Sequence, residues 1–271
     1  MSGVRILLPP SEGKTFPSAG PALELGRLSY PELTEARRQV LETLIEVSGR
    51  DDAATILKVG KRIMPEVTAQ REILSMPCAP ARTVYSGVLY QAARLHGGDD
   101  VMIFSGLFGV TTSEDLIPAY RLSMNATLPG IGSLKAFWRR ELAKVELCRK
   151  DSGQMGRTPE GARTDDCGET TVDMRSGAYQ VTTPHGPWWD LRVVDSRGKV
   201  ITHAAKHHRG LLTRALLDAW RSERQACGST SAGADEHKTC IDVARIARSL
   251  GDIEVVDDGS RHHITLRLQE G

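Results

Sequence analysis

The sequence predicts an α/β chain of the α+β kind, a single compact domain in which a mixed β-sheet is flanked by helices. Three observations carry this. Short apolar or β-branched runs begin at Val4, Val101, Val172, Leu191, Lys199 and His262 and interleave with stretches of helical spacing, the order of a layered α/β unit. The 271 residues, 40% hydrophobic and 25% charged, suffice for one large core. No internal repeat and no linker splits the chain, so residues 1–271 form one unit. Residues 151–170, rich in Gly, Asp, Arg and Thr and without periodicity, are expected to be a flexible insertion.

Composition narrows the function classes. The formal net charge is +1, so any affinity for nucleic acid has to come from a local basic patch rather than a global field. The five cysteines are scattered and form no CxxC pair or Cys/His ligand spacing, which argues against a zinc site and a disulfide framework. No cofactor is expected. The N-terminus runs into VRILL without a signal-peptide core, and no apolar run reaches membrane-spanning length, so a cytoplasmic protein without membrane contact is expected.

Val4–Leu8 is a buried strand ended by Pro9-Pro10. The loop after it, PSEGKT, can offer backbone N–H groups and one ammonium to an anion, but lacks the GxxxxGK[ST] spacing of a P-loop. Tyr30–Ser48 has helical spacing, with Ser29 as candidate N-cap and its charges on the face opposite the apolar one. A helix pair spans Asp52–Ser75, broken at Val59-Gly60-Lys61. Arg82–Tyr90 reads as a strand or turn whose Tyr85 and Tyr90 are either core aromatics with a rim hydroxyl or ligand contacts.

Val101–Phe104 is the next strand. Ser105-Gly106 and Gly109 break it, and Asp115, Tyr120 and Arg121 follow, so a carboxylate, a phenol and a guanidinium gather past a strand end, where α/β proteins place sites. Leu128–Ala136 has an hGhGxxxxA pattern leading into a basic helix, Phe137–Lys150; the amides at Gly130 and Gly132, with Lys135 behind them, suit a phosphate backbone. Val172–Tyr179 is a strand ending in Arg175-Ser176-Gly177, and Pro184–Trp189 is a loop. Leu191–Val194 and Lys199–Ala204 read as a hairpin around Asp195–Gly198. A helix, Leu211–Ala219, follows, with Lys206 and Arg209 at its entrance against the helix dipole. His203, His207 and His208 lack a carboxylate or thiol to complete a metal set, and no metal is assigned. Helix Ile241–Ser249 and strands Ile253–Val256 and His262–Leu268 complete the fold.

Several of these segments together, LLPPSEGK (Leu7–Lys14), VYSGVLY (Val84–Tyr90), SGLFGV with DLIPAYRL, FWR (Phe137–Arg139), VDMRSGAY (Val172–Tyr179) and HAAKHHRG (His203–Gly210), resemble the YaaA family of peroxide-stress proteins in order and spacing. The resemblance implies a YaaA-like fold and an electropositive cleft. Its cations would be Lys14, Arg121, Arg175, Lys206 and Arg209, with Ser11, Ser105, Asp115, Tyr120, Ser176 and Tyr179 beside them. It also implies sequence-independent DNA binding and protection against peroxide, linked to limiting intracellular iron. ILKVGKRIMPEV resembles a helix–hairpin–helix with a basic tip of Lys58, Lys61 and Arg62, although Lys58 replaces the first hairpin glycine and Pro65 interrupts the second helix. The alternative is an enzyme acting on a nucleotide, nucleoside or other anionic small molecule. In it Lys206, Asp115 and Tyr120 would be catalytic, and Arg121 and Arg209 would clamp the anion.

Overall fold

The computed structural model describes residues 3–147, 170–228 and 241–268. β1 (Val4–Leu8) has all five residues buried, as expected of a strand covered on both faces. α1 (Thr34–Ser48) follows a 3₁₀ turn, Pro31–Leu33, so Ser29 is not its N-cap. Two short helices, α2 (Ala53–Leu57) and α3 (Met64–Ala69), flank the turn that carries Lys58, whose φ is 55°, and Gly60. The span expected as strand or turn at Arg82–Tyr90 is mostly helical. β2 (Ala79–Pro80) precedes it, and the span itself holds most of one helical turn, α4 (Ala81–Val84), and the start of α5 (Val88–Ala93).

β3 (Val101–Ser105) and β4 (Gly109–Thr112) form a tight hairpin, and β5 (Leu116–Ile117) pairs with β2. The glycine pattern at Leu128–Ala136 forms a small β-hairpin, β6 (Thr127–Leu128) and β7 (Gly132–Ser133), turned by Gly130 and Gly132 at positive φ. It leads into α6 (Leu134–Leu142), so only one flank of that turn is a helix. β8 (Thr170–Asp173) and β9 (Trp188–Val194) precede α7 (Thr202–Gly228); α8 (Val243–Arg248) and the hairpin β10 (Asp252–Asp258) and β11 (Arg261–Arg267) close the chain. Apart from Thr170, the expected insertion at 151–170 lies outside the described residues.

Seven strands form one mixed sheet in the order β10-β11-β9-β8-β1-β3-β4, parallel except at its two ends, where β10 and β4 run antiparallel to their neighbours. Helices flank this sheet, and buried side chains from both ends of the chain join one hydrophobic core.

Two readings from sequence need correction around α7. No strand forms at Lys199–Ala204. The Asp195 carboxylate accepts from Arg197 N (2.9 Å) and Lys199 N (2.8 Å), closing a turn, and only Val200 bridges back to Val194. The helix starts at Thr202, so Lys206 and Arg209 lie within it rather than ahead of its positive end. Gly210 stands just ahead of the helix expected at Leu211–Ala219 and lies inside α7. In the fold it is a contact point, since a Cβ there would stand 2.3 Å from the Leu89 carbonyl oxygen of α5.

Candidate functional site

The loop after β1 folds back so that Lys14 bridges to Tyr85, with Thr15 N donating to Val84 O (2.8 Å) and Ser86 N to Gly13 O (3.1 Å). Gly87 packs closely on Ser11, since a Cβ there would stand 2.2 Å from Ser11 Oγ and the hydroxyl would have to turn aside. The Lys14 ammonium donates to Ser11 O (2.6 Å) and rests over the Tyr120 ring at 4.5 Å and the Tyr85 ring at 5.4 Å. Its loop is partly exposed while its head is deeply set. Burial first, and the neighbouring Arg121 second, bring its pKa down to about 7 from 10.5, against the opposite pull of Glu12 and Glu66.

Beneath the lysine, the Tyr85 and Tyr120 hydroxyls share a 2.8 Å hydrogen bond, and both also bond to the Ser105 side chain, whose Oγ accepts from Phe108 N at 3.1 Å. Burial pushes both phenols above their ordinary value, so they stay neutral and can only exchange hydrogen bonds. Arg121 is held beside Lys14. Its backbone N–H donates to Gln70, and its guanidinium donates to Glu66 and to the Glu12 carbonyl.

The segment after Arg121 ties in the other side chains. Tyr179 bonds to Ser123 and to the Met124 backbone, and burial raises its pKa. Lys58 donates to Asn125 O (3.0 Å), and Lys135 donates to Gly177 O (3.2 Å), two residues before Tyr179. Lys61 and Arg62 are exposed on the same α2–α3 turn, one helical turn before Glu66. Lys14, Arg121, Tyr179, Lys58 and Lys135 therefore form one connected set around Arg121–Asn125, with Ser11 beneath the lysine. Ser176 is exposed in the adjoining turn, where Tyr179 N donates to its carbonyl (2.8 Å).

Lys206 is exposed on α7, one turn before Gly210. Gly210 packs on Leu89–Ala93 of α5, and Arg214 Nη1 donates to Arg94 O (3.0 Å).

Three expected site residues are engaged elsewhere. Asp115 is buried, and its carboxylate accepts from Ser29 N (2.8 Å), Ser29 Oγ (3.0 Å) and Thr112 N (2.7 Å), closing its own loop. Arg175 is 1% exposed, paired with both Asp173 oxygens at 2.9 Å, bonded to Thr182 and stacked 4.2 Å from the Phe104 ring. Phe104 and Ser105 alternate along β3, which puts Arg175 on the sheet face opposite Tyr120. Arg209 is largely buried near Asp173 and Asp190, its Nε lacks a hydrogen-bond partner, and burial lowers its pKa.

Sequence reasoning missed Glu12, Glu66 and Gln70. Glu66 and Gln70 lie four residues apart along consecutive helical turns, a spacing that sets a carboxylate and an amide on one face; nothing local points from there to Arg121, more than fifty residues away. Among the described residues no group of His, Cys, Asp and Glu could hold a metal ion, and no helix is long and apolar enough to cross a membrane.

The sequence model of the family described as "Peroxide stress protein YaaA" matches residues 4–226. The chain is 36% identical over 230 residues to a UPF0246 protein of Streptomyces coelicolor, covering 78% of this chain and 82% of the relative. It is 35% identical over 274 residues to a UPF0246 protein of Corynebacterium efficiens, covering 96% and 98%. An uncharacterized protein of Campylobacter jejuni is 24% identical over 221 residues, covering 77% and 82%.

Proposed function

The chain belongs to the YaaA family of peroxide stress proteins, and from that premise we propose that it binds duplex DNA through phosphate contacts, without sequence choice, as part of a peroxide response. The observation that carries the reading is the convergence of Lys14, Arg121, Lys58 and Lys135 around Arg121–Asn125, with exposed Lys61 and Arg62 on the adjoining helix–turn–helix. In this reading Lys58, Lys61, Arg62 and Lys135 form a rim that meets the backbone, while the Gly130–Gly132 turn adds main-chain amides. Lys14 and Arg121 form the floor of an electropositive cleft. The formal charge of the whole molecule nearly cancels, at net +1, so the attraction is local. Neutralising about four to six phosphates releases as many counterions, so affinity should fall about 10²–10³-fold between 50 and 200 mM salt. Fluorescence anisotropy of a labelled 20-bp duplex across that range tests it; an affinity that stays flat refutes it.

A second reading, an enzyme acting on an anionic small molecule, is favoured by Lys14 itself. An amine brought down to about 7 over a hydrogen-bonded tyrosine pair is poised to take up and release a proton at neutral pH. Lys14 would then be the acid–base group, Tyr85–Tyr120–Ser105 its orienting network, and Arg121 with Lys206 the anion clamp. Asp115 has no part in it, because its oxygens are spent on its own loop. Competitive acetylation of the lysines between pH 6 and 10, read by mass spectrometry, should give Lys14 a midpoint near 7; a midpoint in the ordinary lysine range removes this reading.

A further inference from the structure

We propose that Lys14 is a nucleophile toward an aldehyde carried by DNA, its amine forming an imine with the ring-opened deoxyribose of an abasic site. The inference rests on the DNA reading, since phosphate contacts at the rim have to bring that sugar to the floor of the cleft. Its support is the geometry around the amine. Lys14 donates to one acceptor, Ser11 O at 2.6 Å, although an ammonium has three N–H groups to place. Among the described residues no carboxylate pairs with it, and Glu66 is taken up by Arg121. Two aromatic rings lie under its head, Tyr120 at 4.5 Å and Tyr85 at 5.4 Å. A second cation, Arg121, is fixed beside it by Glu66 and the Glu12 carbonyl. A lysine desolvated against aromatic rings and set next to another cation is an ammonium turned into a nucleophilic amine.

The charge state agrees with that geometry. With a pKa of about 7, about half of Lys14 is neutral amine at pH 7. A lysine at the ordinary 10.5 is neutral in about three molecules per ten thousand, so Lys14 offers about a thousandfold more free amine. The reaction balances without a redox partner. The neutral amine adds to C1′ of the open-chain sugar, a C–N bond forms, and the former carbonyl oxygen leaves as water to give C=N. Loss of a C2′ proton to solvent then forms the C2′=C3′ bond as the C3′–O bond breaks. The 3′-phosphate leaves, and hydrolysis of C=N returns the amine. An abasic sugar is also the nucleotide that costs least to swing out of a duplex, because no base has to be unstacked.

The test uses the full chain, a labelled duplex with one central abasic site, and sodium cyanoborohydride, which reduces an imine to a stable protein–DNA adduct. A matched duplex with a tetrahydrofuran in place of the abasic sugar has no aldehyde and measures binding alone, by anisotropy. At pH 7 the wild type should bind both duplexes and form the adduct with the abasic one only, and peptide mapping should place that adduct on Lys14. Lys14→Met, at a concentration that saturates the tetrahydrofuran duplex, should lose the adduct by at least about tenfold. Binding of both duplexes without an adduct, an adduct mapped to other lysines, or an adduct undiminished in Lys14→Met would overturn the proposal and leave the DNA reading standing. Failure of the wild type to bind either duplex would overturn both.

Discussion

Replacing Lys14 by Met should alter the pH dependence of stability in a way few surface changes can. In the folded chain the ammonium is desolvated and stands beside Arg121, so its pKa is about 7, against 10.5 for an exposed lysine. Between those values the unfolded chain binds the extra proton and the folded chain does not, so wild-type stability rises with pH across that window. Below pH 7 both states are protonated and the cost of the buried charge is constant. Two pH units, from 7 to 9, at about 1.36 kcal/mol each give an upper figure near 2.7 kcal/mol. Allowing for partial exposure of the loop, about 2 kcal/mol is expected. Met keeps the unbranched packing over Tyr120 and has no proton to exchange. Urea unfolding of both proteins at pH 7 and 9 supplies the comparison. The stability of Lys14→Met relative to wild type should be highest at pH 7 and fall by about 2 kcal/mol by pH 9. A difference that does not vary with pH would refute the desolvated ammonium.

Three further outcomes are expected. Asp173→Ala leaves the Arg175 guanidinium buried without its counter-charge and should cost about 3–5 kcal/mol in chemical unfolding, whereas Asp173→Leu combined with Arg175→Met should cost less than the single change. Gly210→Val forces a side chain into the Leu89 carbonyl and should destabilise the α5–α7 contact by about 3 kcal/mol or more, read as a lowered melting temperature. Cys78 is 2% exposed, and burial pushes its thiol up to about 11, so iodoacetamide at pH 8 followed by peptide mapping should leave it unmodified until the chain is unfolded.

The strands at Val4–Leu8 and Val101–Ser105 were legible because strands covered on both faces read as unbroken apolar runs. Lys14 and Arg121 became candidates through the family resemblance, in the segments that follow the strands at Val4–Leu8 and Val101–Phe104. Their meeting was expected from that resemblance alone, since it depends on the Glu12 carbonyl and Glu66, 109 and 55 residues from Arg121. Arg37 shows another limit. Helical spacing assigns it to the solvated face of α1, yet it is 0% exposed and donates to the carbonyls of Phe108 (3.1 Å) and Val110 (2.7 Å). It thereby satisfies main-chain acceptors in β4 and in the turn just before it at the sheet edge, a need set by tertiary structure and invisible to periodicity. The helix expected from Leu211 begins nine residues earlier, at Thr202, and its Gly210 is explained only by the α5 backbone pressed against it.

The central claim, that cations drawn from distant segments meet the DNA backbone together, is tested most directly by the salt slope of duplex affinity in variants of the rim. Lys58→Gln, Lys61→Gln and Lys135→Gln should each weaken binding to unrelated duplexes alike and reduce the magnitude of the slope of log affinity against log salt by about 1, adding when combined. A triple variant that keeps both the wild-type slope and the wild-type affinity would contradict the account.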